Sequence, residues 1–209
     1  GDYQAHEMPG VVYEVKKDGK DFLSYAYDGL GRVTSRGVGG LTNREKYTYN
    51  PGPNGTTTTQ VQKFSDLQGL ETTYTYDVNG NITAADSKEA SDRYVYDALG
   101  RMVRANNGDS DVELTETYEY DARGNIVSRT RYNYTTAETP TRPKKTITYK
   151  YEDASWSDLL TEYDGQKLTY DNIGNPLTYR DGMTMSWKHG RSLRDIQKDG
   201  ETQGSYNYN

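Results

Sequence analysis

The chain contains no cysteine. That excludes a disulfide framework and thiolate metal centres, and it leaves the cellular compartment open. It also lacks any apolar run approaching the length of a membrane-spanning helix, and the residues from Gly1 do not read as a signal peptide. The net charge of −6 carries none of the basic excess that grips a phosphate backbone. Aliphatic residues are scarce as well. Leu, Ile, Val and Phe together make up about 14% of the chain, a level that usually accompanies disorder.

What is present instead is tyrosine, 21 residues in a chain of 209. A tyrosine ring brings apolar area and a hydroxyl that must be wet or hydrogen-bonded. A fold built on it needs thin layers with one face near solvent, not a thick aliphatic core. Tyr and Thr favour strands, and Gly, Asn and Asp favour turns. The composition therefore predicts an all-β chain with many short connections.

The tyrosines recur in a fixed order. "YAYDGLGRVTSR" begins at Tyr25, "YTYDVNGNITAA" at Tyr74, "YVYDALGRMVRANN" at Tyr94, "YEYDARGNIVSR" at Tyr118 and "LTYDNIGNPLTY" at Leu168. Tyrosines at i and i+2 project from one face of a strand. The Asp that follows suits the first position of a type I turn, because its carboxylate can accept a nearby backbone N–H. A Gly three residues later can take the positive φ that comes next. The turn pairs are Asp28 and Gly31, Asp77 and Gly80, Asp97 and Gly100, Asp121 and Gly124, and Asp171 and Gly174. Arg or Asn follows, then an apolar residue on the returning strand. Each cassette thus encodes strand, turn and return strand.

Asp-Gly pairs at Asp18, Asp164, Asp181 and Asp199 lie between these cassettes and are strong two-residue hairpin signals. Looser breaks fall at Arg36–Gly40 and Asn106–Asp109, and the stretch from Tyr132 to Lys145, with Pro140 and Pro143, reads as a surface loop. The two turn classes alternate, so the Asp-x-x-Gly turns should line one edge of a sheet and the others its opposite edge. The expectation is an antiparallel meander of tandem hairpins, roughly 16–18 strands of one curved or spiralling sheet, with tyrosines laddered across neighbouring strands. The expected organisation is a single strip over residues 1–209 that stops inside a repeat, with "YNYN" at the end read as the opening half of another copy. The copies at Tyr47 (Asn50 in place of Asp), at Tyr149 (no Gly) and around Asp66 (no tyrosine pair) depart from the pattern.

This pattern resembles the YD repeat of the Rhs family, which includes bacterial Rhs polymorphic toxins, wall-associated proteins, toxin-complex shell subunits and teneurins. The shorter forms "YDALGRM" and "YDNIGNPLTY" look more like the Rhs and wall-associated members. The resemblance covers almost the whole chain. It implies a long β-strip wound into a hollow shell around a C-terminal effector, part of a large secreted or cell-surface bacterial protein. The partners it implies are the remaining shell and that effector. No Asp-Pro pair occurs, so the self-cleaving element of many relatives is not within this stretch. The function it implies is a non-catalytic structural module. A cell-surface module that binds carbohydrate or protein is the alternative.

Candidate sites are few. Asp77, Asn79 and Asn81 have the alternating oxygens of a calcium loop, but the twelfth position is Lys88 where an acid is needed, and the turn reading is preferred. His6 and His189 have no second histidine at metal spacing, and His189 before Gly190 reads as a turn residue. No nucleophile elbow or phosphate loop occurs. No catalytic, cofactor or metal residue is therefore assigned, and no cofactor is expected. Trp156 and Trp187 are the only tryptophans and could stack on a sugar ring, against the alternative of packing across strands. Arg32, Arg101, Arg104 and Arg129 recur near the turns and could form a solvated rim that pairs with turn carboxylates, the favoured reading, or a patch for an acidic partner. Nucleic acid and membrane insertion are not expected. Open edge strands in such a strip would invite edge-to-edge self-association.

Overall fold

Strand after strand pairs with its neighbour in sequence. The computed structural model describes residues 9–39, 41, 43–109 and 111–208, so His6 and Asn209 lie outside the described residues. Its strands are β1 (Glu14–Lys17), β2 (Lys20–Tyr27), β3 (Val33–Val38), β4 (Arg44–Pro51), β5 (Thr57–Ser65), β6 (Glu71–Tyr76), β7 (Ile82–Ser87), β8 (Ser91–Tyr96), β9 (Met102–Asn107), β10 (Leu114–Tyr120), β11 (Ile126–Asn133), β12 (Lys145–Lys150), β13 (Glu162–Tyr163), β14 (Gln166–Lys167), β15 (Met183–Lys188), β16 (Ser192–Lys198) and β17 (Glu201–Ser205). The order in space is the order in sequence: β1 to β14 form one sheet, and β15 to β17 form a second. The all-β antiparallel meander expected from the cassettes is what the chain adopts.

By its internal contacts the chain divides into two compact units. One comprises Gly1–Gly100 with Ala105–Glu113, the other Arg101–Arg104 with Leu114–Asn209. In the first unit, the turns at Asp28, Asp77 and Asp97 follow β2, β6 and β8, so they share one edge of an antiparallel meander. The turn at Asp66 follows β5 and lies on the opposite edge, with the Asp18-Gly19 turn. In the second unit, the turns at Asp121 and Asp171 follow even-numbered strands, and the Asp164-Gly165 turn follows the odd-numbered β13.

The cassette strands alternate as expected. β6 and β8 expose every other residue and turn Tyr74, Tyr76, Tyr94 and Tyr96 to the half-buried face. The core is correspondingly thin. Among the described residues, Ala84, Ile147 and Leu168 are the buried apolar side chains, while Glu45, Asn106, Thr115 and Asn175 are buried polar ones.

The return strands carry a feature that periodicity does not reveal. The register skips one residue at the second tyrosine of a cassette: Ala26 faces Ser35 but Tyr27 faces Val33, Thr75 faces Ala84 but Tyr76 faces Ile82, and Glu119 faces Ser128 but Tyr120 faces Ile126. The same slip occurs where Thr48 faces Lys63 and Tyr49 faces Val61. Each slip is a β-bulge, which interrupts the ladder locally and sharpens the twist.

The main sheet ends at β14. The last cassette forms its Asp171–Gly174 turn, but its strands shrink to an isolated bridge between Tyr170 and Pro176. Beside that bridge the Leu177 N–H donates to the Thr169 carbonyl at 2.7 Å, so single bonds persist without a ladder. β15 to β17 then rebuild a sheet around the His189-Gly190 and Asp199-Gly200 turns, each with positive φ at both residues. His189 is thus a turn residue, as its sequence context suggests. The proline-bearing segment between β11 and β12 spans residues 134–144 and is pinned down. Arg104 donates to the carbonyls of Thr135 and of Ala137, the latter at 2.6 Å. Thr115, fully buried, exchanges hydrogen bonds with the backbone of Thr135.

Candidate functional site

The repeated unit is itself the candidate site, and its chemistry begins at the aspartate. Asp77 Oδ1 accepts the backbone N–H groups of Asn79 (2.9 Å) and Asn81 (2.8 Å), and Oδ2 accepts the Asn81 amide (2.9 Å). The backbone closes the same turn, with Gly80 N–H donating to the Asp77 carbonyl and Asp77 N–H to that of Asn81. Asp121 and Asp171 repeat the full set with Asn125 and Asn175. Asp28 repeats it with the Arg32 guanidinium at 2.7 Å. The glycines of these turns, from Gly31 at φ 77° to Gly124 at φ 93°, occupy the left-handed region that L side chains resist. The side-chain bond from Asn81 holds the Asp77 carboxyl below its usual range, and that from Arg32 does the same for Asp28. Asp77, the nearest approach to a calcium loop, is thus engaged by its own turn.

The alternation of Arg and Asn after the glycine now has a reason. Both carry several N–H donors on one planar group. In Arg32, Asn125 and Asn175 one donor goes to the turn's own aspartate and another reaches a later segment. Arg32 donates to the Thr58 carbonyl, Arg101 to the Asp121 carbonyl (3.2 Å), Asn125 to the Ser157 carbonyl (3.1 Å) and Asn175 to the Gly190 carbonyl (2.7 Å). The arginines also lie over tyrosine rings of the following copy, Arg32 over Tyr49 at 4.1 Å and Arg101 over Tyr120 at 4.6 Å.

The two tyrosines of a cassette have different partners. The second reaches back to the preceding copy. Tyr49 donates to the Val33 carbonyl (2.7 Å), Tyr76 to Val61 (2.7 Å), Tyr96 to Ile82 (2.8 Å) and Tyr120 to Met102 (2.7 Å). Tyr27 and Tyr170 make the same bond to Val12 and Leu160. The acceptors Val33, Val61 and Ile82 sit at the bulges, so the hydroxyl takes a carbonyl where the ladder is interrupted. In three copies the first tyrosine bonds within its own strand. Tyr47 donates to Glu45 (3.0 Å), Tyr94 to Asp92 (3.3 Å) and Tyr118 to Glu116 (2.8 Å), each acid two residues earlier on the same face. Burial, reinforced by Glu116, pushes the Tyr118 hydroxyl up to about 12. Glu45 is clasped by Arg36 at 2.6 and 2.7 Å, which holds its carboxyl below the usual range. Arg129 and Arg131 approach Glu116 at 3.9 and 3.0 Å. Ring contacts do occur across strands, at Tyr13–Tyr27, Tyr47–Phe64 and Tyr149–Tyr163. The relation that recurs from copy to copy is the hydroxyl bond, a signal the sequence carries only as the fixed place of the second tyrosine.

The two tryptophans are placed differently. Trp187 is half-buried in β15 and donates its indole N–H to the Pro176 carbonyl (2.8 Å). Trp156 is 43% exposed in the loop between β12 and β13, over Gly174. Among the described residues no cluster of His, Asp or Glu could hold a metal ion, and no helix is long and apolar enough to cross a membrane.

The model of the teneurin YD-shell family matches residues 14–137. The chain belongs to the teneurin YD-shell family. No curated protein matches the chain. Among solved structures it is similar to the Photorhabdus luminescens Tc holotoxin pore (TM-score 0.58, 16% identity, covering 85% of this chain and 10% of that one). It is also similar to the crystal structure of TcdB2-TccC3-Cdc42 (0.55, 17%, 85% and 10%) and to TcdB2-TccC3 without its hypervariable C-terminal region (0.56, 16%, 88% and 10%). At these identities the likeness is one of fold. This chain spans about a tenth of the length of those proteins. A YD shell is a structural fold, and the stitches between copies are its local chemistry here.

Proposed function

We propose that this chain is a non-catalytic segment of a shell wall, which encloses or presents a C-terminal effector of a large secreted or surface-exposed bacterial protein. The observation that carries this reading is the tyrosine bond to the preceding copy, which recurs in most of the copies. With the Asp turns and their Arg or Asn forks, it engages the recurring polar groups of the cassette in holding the wall together, which supports a structural role. The partners on this reading are the rest of the parent polypeptide, paired along the open strand edges, and the enclosed effector.

Limited proteolysis of the parent protein tests it. The polypeptide following the repeats should resist protease in the intact protein. It should become cleavable when Gly100→Val and Gly124→Val break two turns. If that polypeptide is cut equally fast in both proteins, enclosure is wrong. If the 209-residue chain hydrolyses peptides or glycans and a single substitution abolishes the activity, the non-catalytic reading is wrong.

A further inference from the structure

The copy that departs most from the cassette builds something the others do not. After "YKYE" the chain loses the turn glycine and inserts "DASWSDLL" between β12 and β13. Asp153 organises this insert, its Oδ1 accepting the backbone N–H groups of Ser155 (2.9 Å) and Trp156 (2.8 Å). A backbone bond from Leu159 to the Trp156 carbonyl (3.0 Å) closes the following turn. The indole is set against the Asp171–Gly174 turn so closely that a Cβ on Gly174 would lie 2.4 Å from the ring. One part of the ring is therefore held in place while 43% of the residue stays open to solvent. The residue borders a cleft of about 570 Å³, lined among others by Asp153, Ser155, Tyr170, Asn172 and Gly174. That volume lies within the range of small-molecule sites, roughly 300–1,000 Å³.

We propose that this cleft binds a neutral saccharide, with a hexose or N-acetylhexosamine ring stacked on the open face of Trp156. The apolar C–H face of a pyranose matches an exposed aromatic platform, and its hydroxyls need donors and acceptors around the rim. Asp153 supplies an acceptor through the carboxylate oxygen not used by the loop backbone. Asn172, exposed at the tip of its turn, offers both a donor and an acceptor. The Tyr170 hydroxyl is fixed to the Leu160 carbonyl at 2.6 Å, so its ring forms a rigid wall. The carboxylate of Asp153 and the chain's net charge of −6 disfavour sialylated or sulfated sugars. Trp187 is no equivalent platform, because its indole N–H is engaged by Pro176 within the fold. The proposal is independent of enclosure, since a wall can carry a sugar site on its surface whether or not it holds an effector.

Tryptophan fluorescence tests it. In the full 209-residue chain carrying Trp187→Phe, Trp156 is the sole indole emitter. Titration with neutral trisaccharides (cello-, chito-, malto- and galacto-series) should give a saturable emission change for at least one, with a Kd on the order of 0.1–1 mM. Asn172→Ala should weaken that binding several-fold, and sialyllactose should leave the emission unchanged. Trp156→Phe keeps a ring over Gly174 and should raise the Kd about tenfold, read by calorimetry. Emission that does not respond to any neutral trisaccharide at about 10 mM overturns the proposal. So does binding that is unaffected by both Trp156→Phe and Asn172→Ala, or tighter binding of sialyllactose than of every neutral sugar.

Discussion

The hydroxyl of Tyr96 donates to the carbonyl of Ile82 across 2.8 Å, and through that bond one copy of the repeat is fastened to the copy before it. Ile82 also faces Tyr76 across the bulge, so one residue receives the ring of its own cassette and the hydroxyl of the next. Six such bonds recur among the described residues, at Tyr27, Tyr49, Tyr76, Tyr96, Tyr120 and Tyr170. Stability in such a wall is shared between neighbours.

Tyr96→Phe should therefore lower stability by about 0.5–1.5 kcal/mol, the usual net value of one hydrogen bond, while keeping the ring and its packing. Tyr49→Phe should do the same, and the double substitution should be close to additive because the two bonds share no partner. Urea unfolding followed by circular dichroism measures both. An unchanged midpoint in the double variant would mean that the hydroxyl stitch is not part of the stability of the wall.

Glu45 illustrates a different dependence. It is 9% exposed, bound twice by Arg36 and once by Tyr47. Glu45→Ala strips all three donors of their acceptor and should cost about 1–3 kcal/mol. Glu45→Gln keeps the shape and one acceptor, and should fall between Ala and the native residue. Chemical denaturation of the three proteins gives the order directly.

Acid should loosen the turns. The native carboxyls of Asp28 and Asp77 lie below the usual range, so they bind protons less readily folded than unfolded. Their contribution is complete above the unfolded carboxyl pKa of about 3.9 and is lost as pH falls through the lower native values. Denaturant midpoints should drop below about pH 4, and Asp77→Asn should flatten part of that drop.

Alkali acts through Tyr118 in the opposite sense. Its hydroxyl is raised to about 12, against about 10 in an unfolded chain. The folded form thus holds the proton longer. The stabilisation is full below pH 10 or so and disappears as pH climbs through the window up to about 12. Phenolate absorbance should show a late-titrating tyrosine that Tyr118→Phe removes.

Two glycines outside the cassette turns should prove as strict as those within them. A Cβ on Gly108 would sit 2.2 Å from the Ser91 carbonyl oxygen, and one on Gly39 would sit 2.0 Å from that of Asp21. Both contacts are with backbone, which cannot step aside cheaply. Gly108→Ala should destabilise by about 1–3 kcal/mol, as overpacking commonly does, measured by thermal unfolding.

Much of this architecture was legible in the residues. Period-two tyrosines marked the half-buried face, Asp-x-x-Gly and Asp-Gly marked turns with positive φ, and their alternation marked an antiparallel meander, which among the described residues has 14 strands in one sheet and three in a second. These are local choices, fixed within a few residues by sterics and by hydrogen bonds that a side chain makes to its own backbone. The tertiary structure alone decided the rest, because it depends on what lies across the sheet. It placed the bulges that present Val33, Val61 and Ile82 to the next tyrosine, and it put Asp66 on the opposite edge from the other Asp-x-x-Gly turns of its unit. It ended the main sheet at β14, buried Glu45 beneath Arg36 and left Trp156 open while covering Trp187. A repeat dictates its own hairpin, but what each hydroxyl, guanidinium and ring meets is set by the neighbouring copy, at a distance in sequence that no single cassette contains.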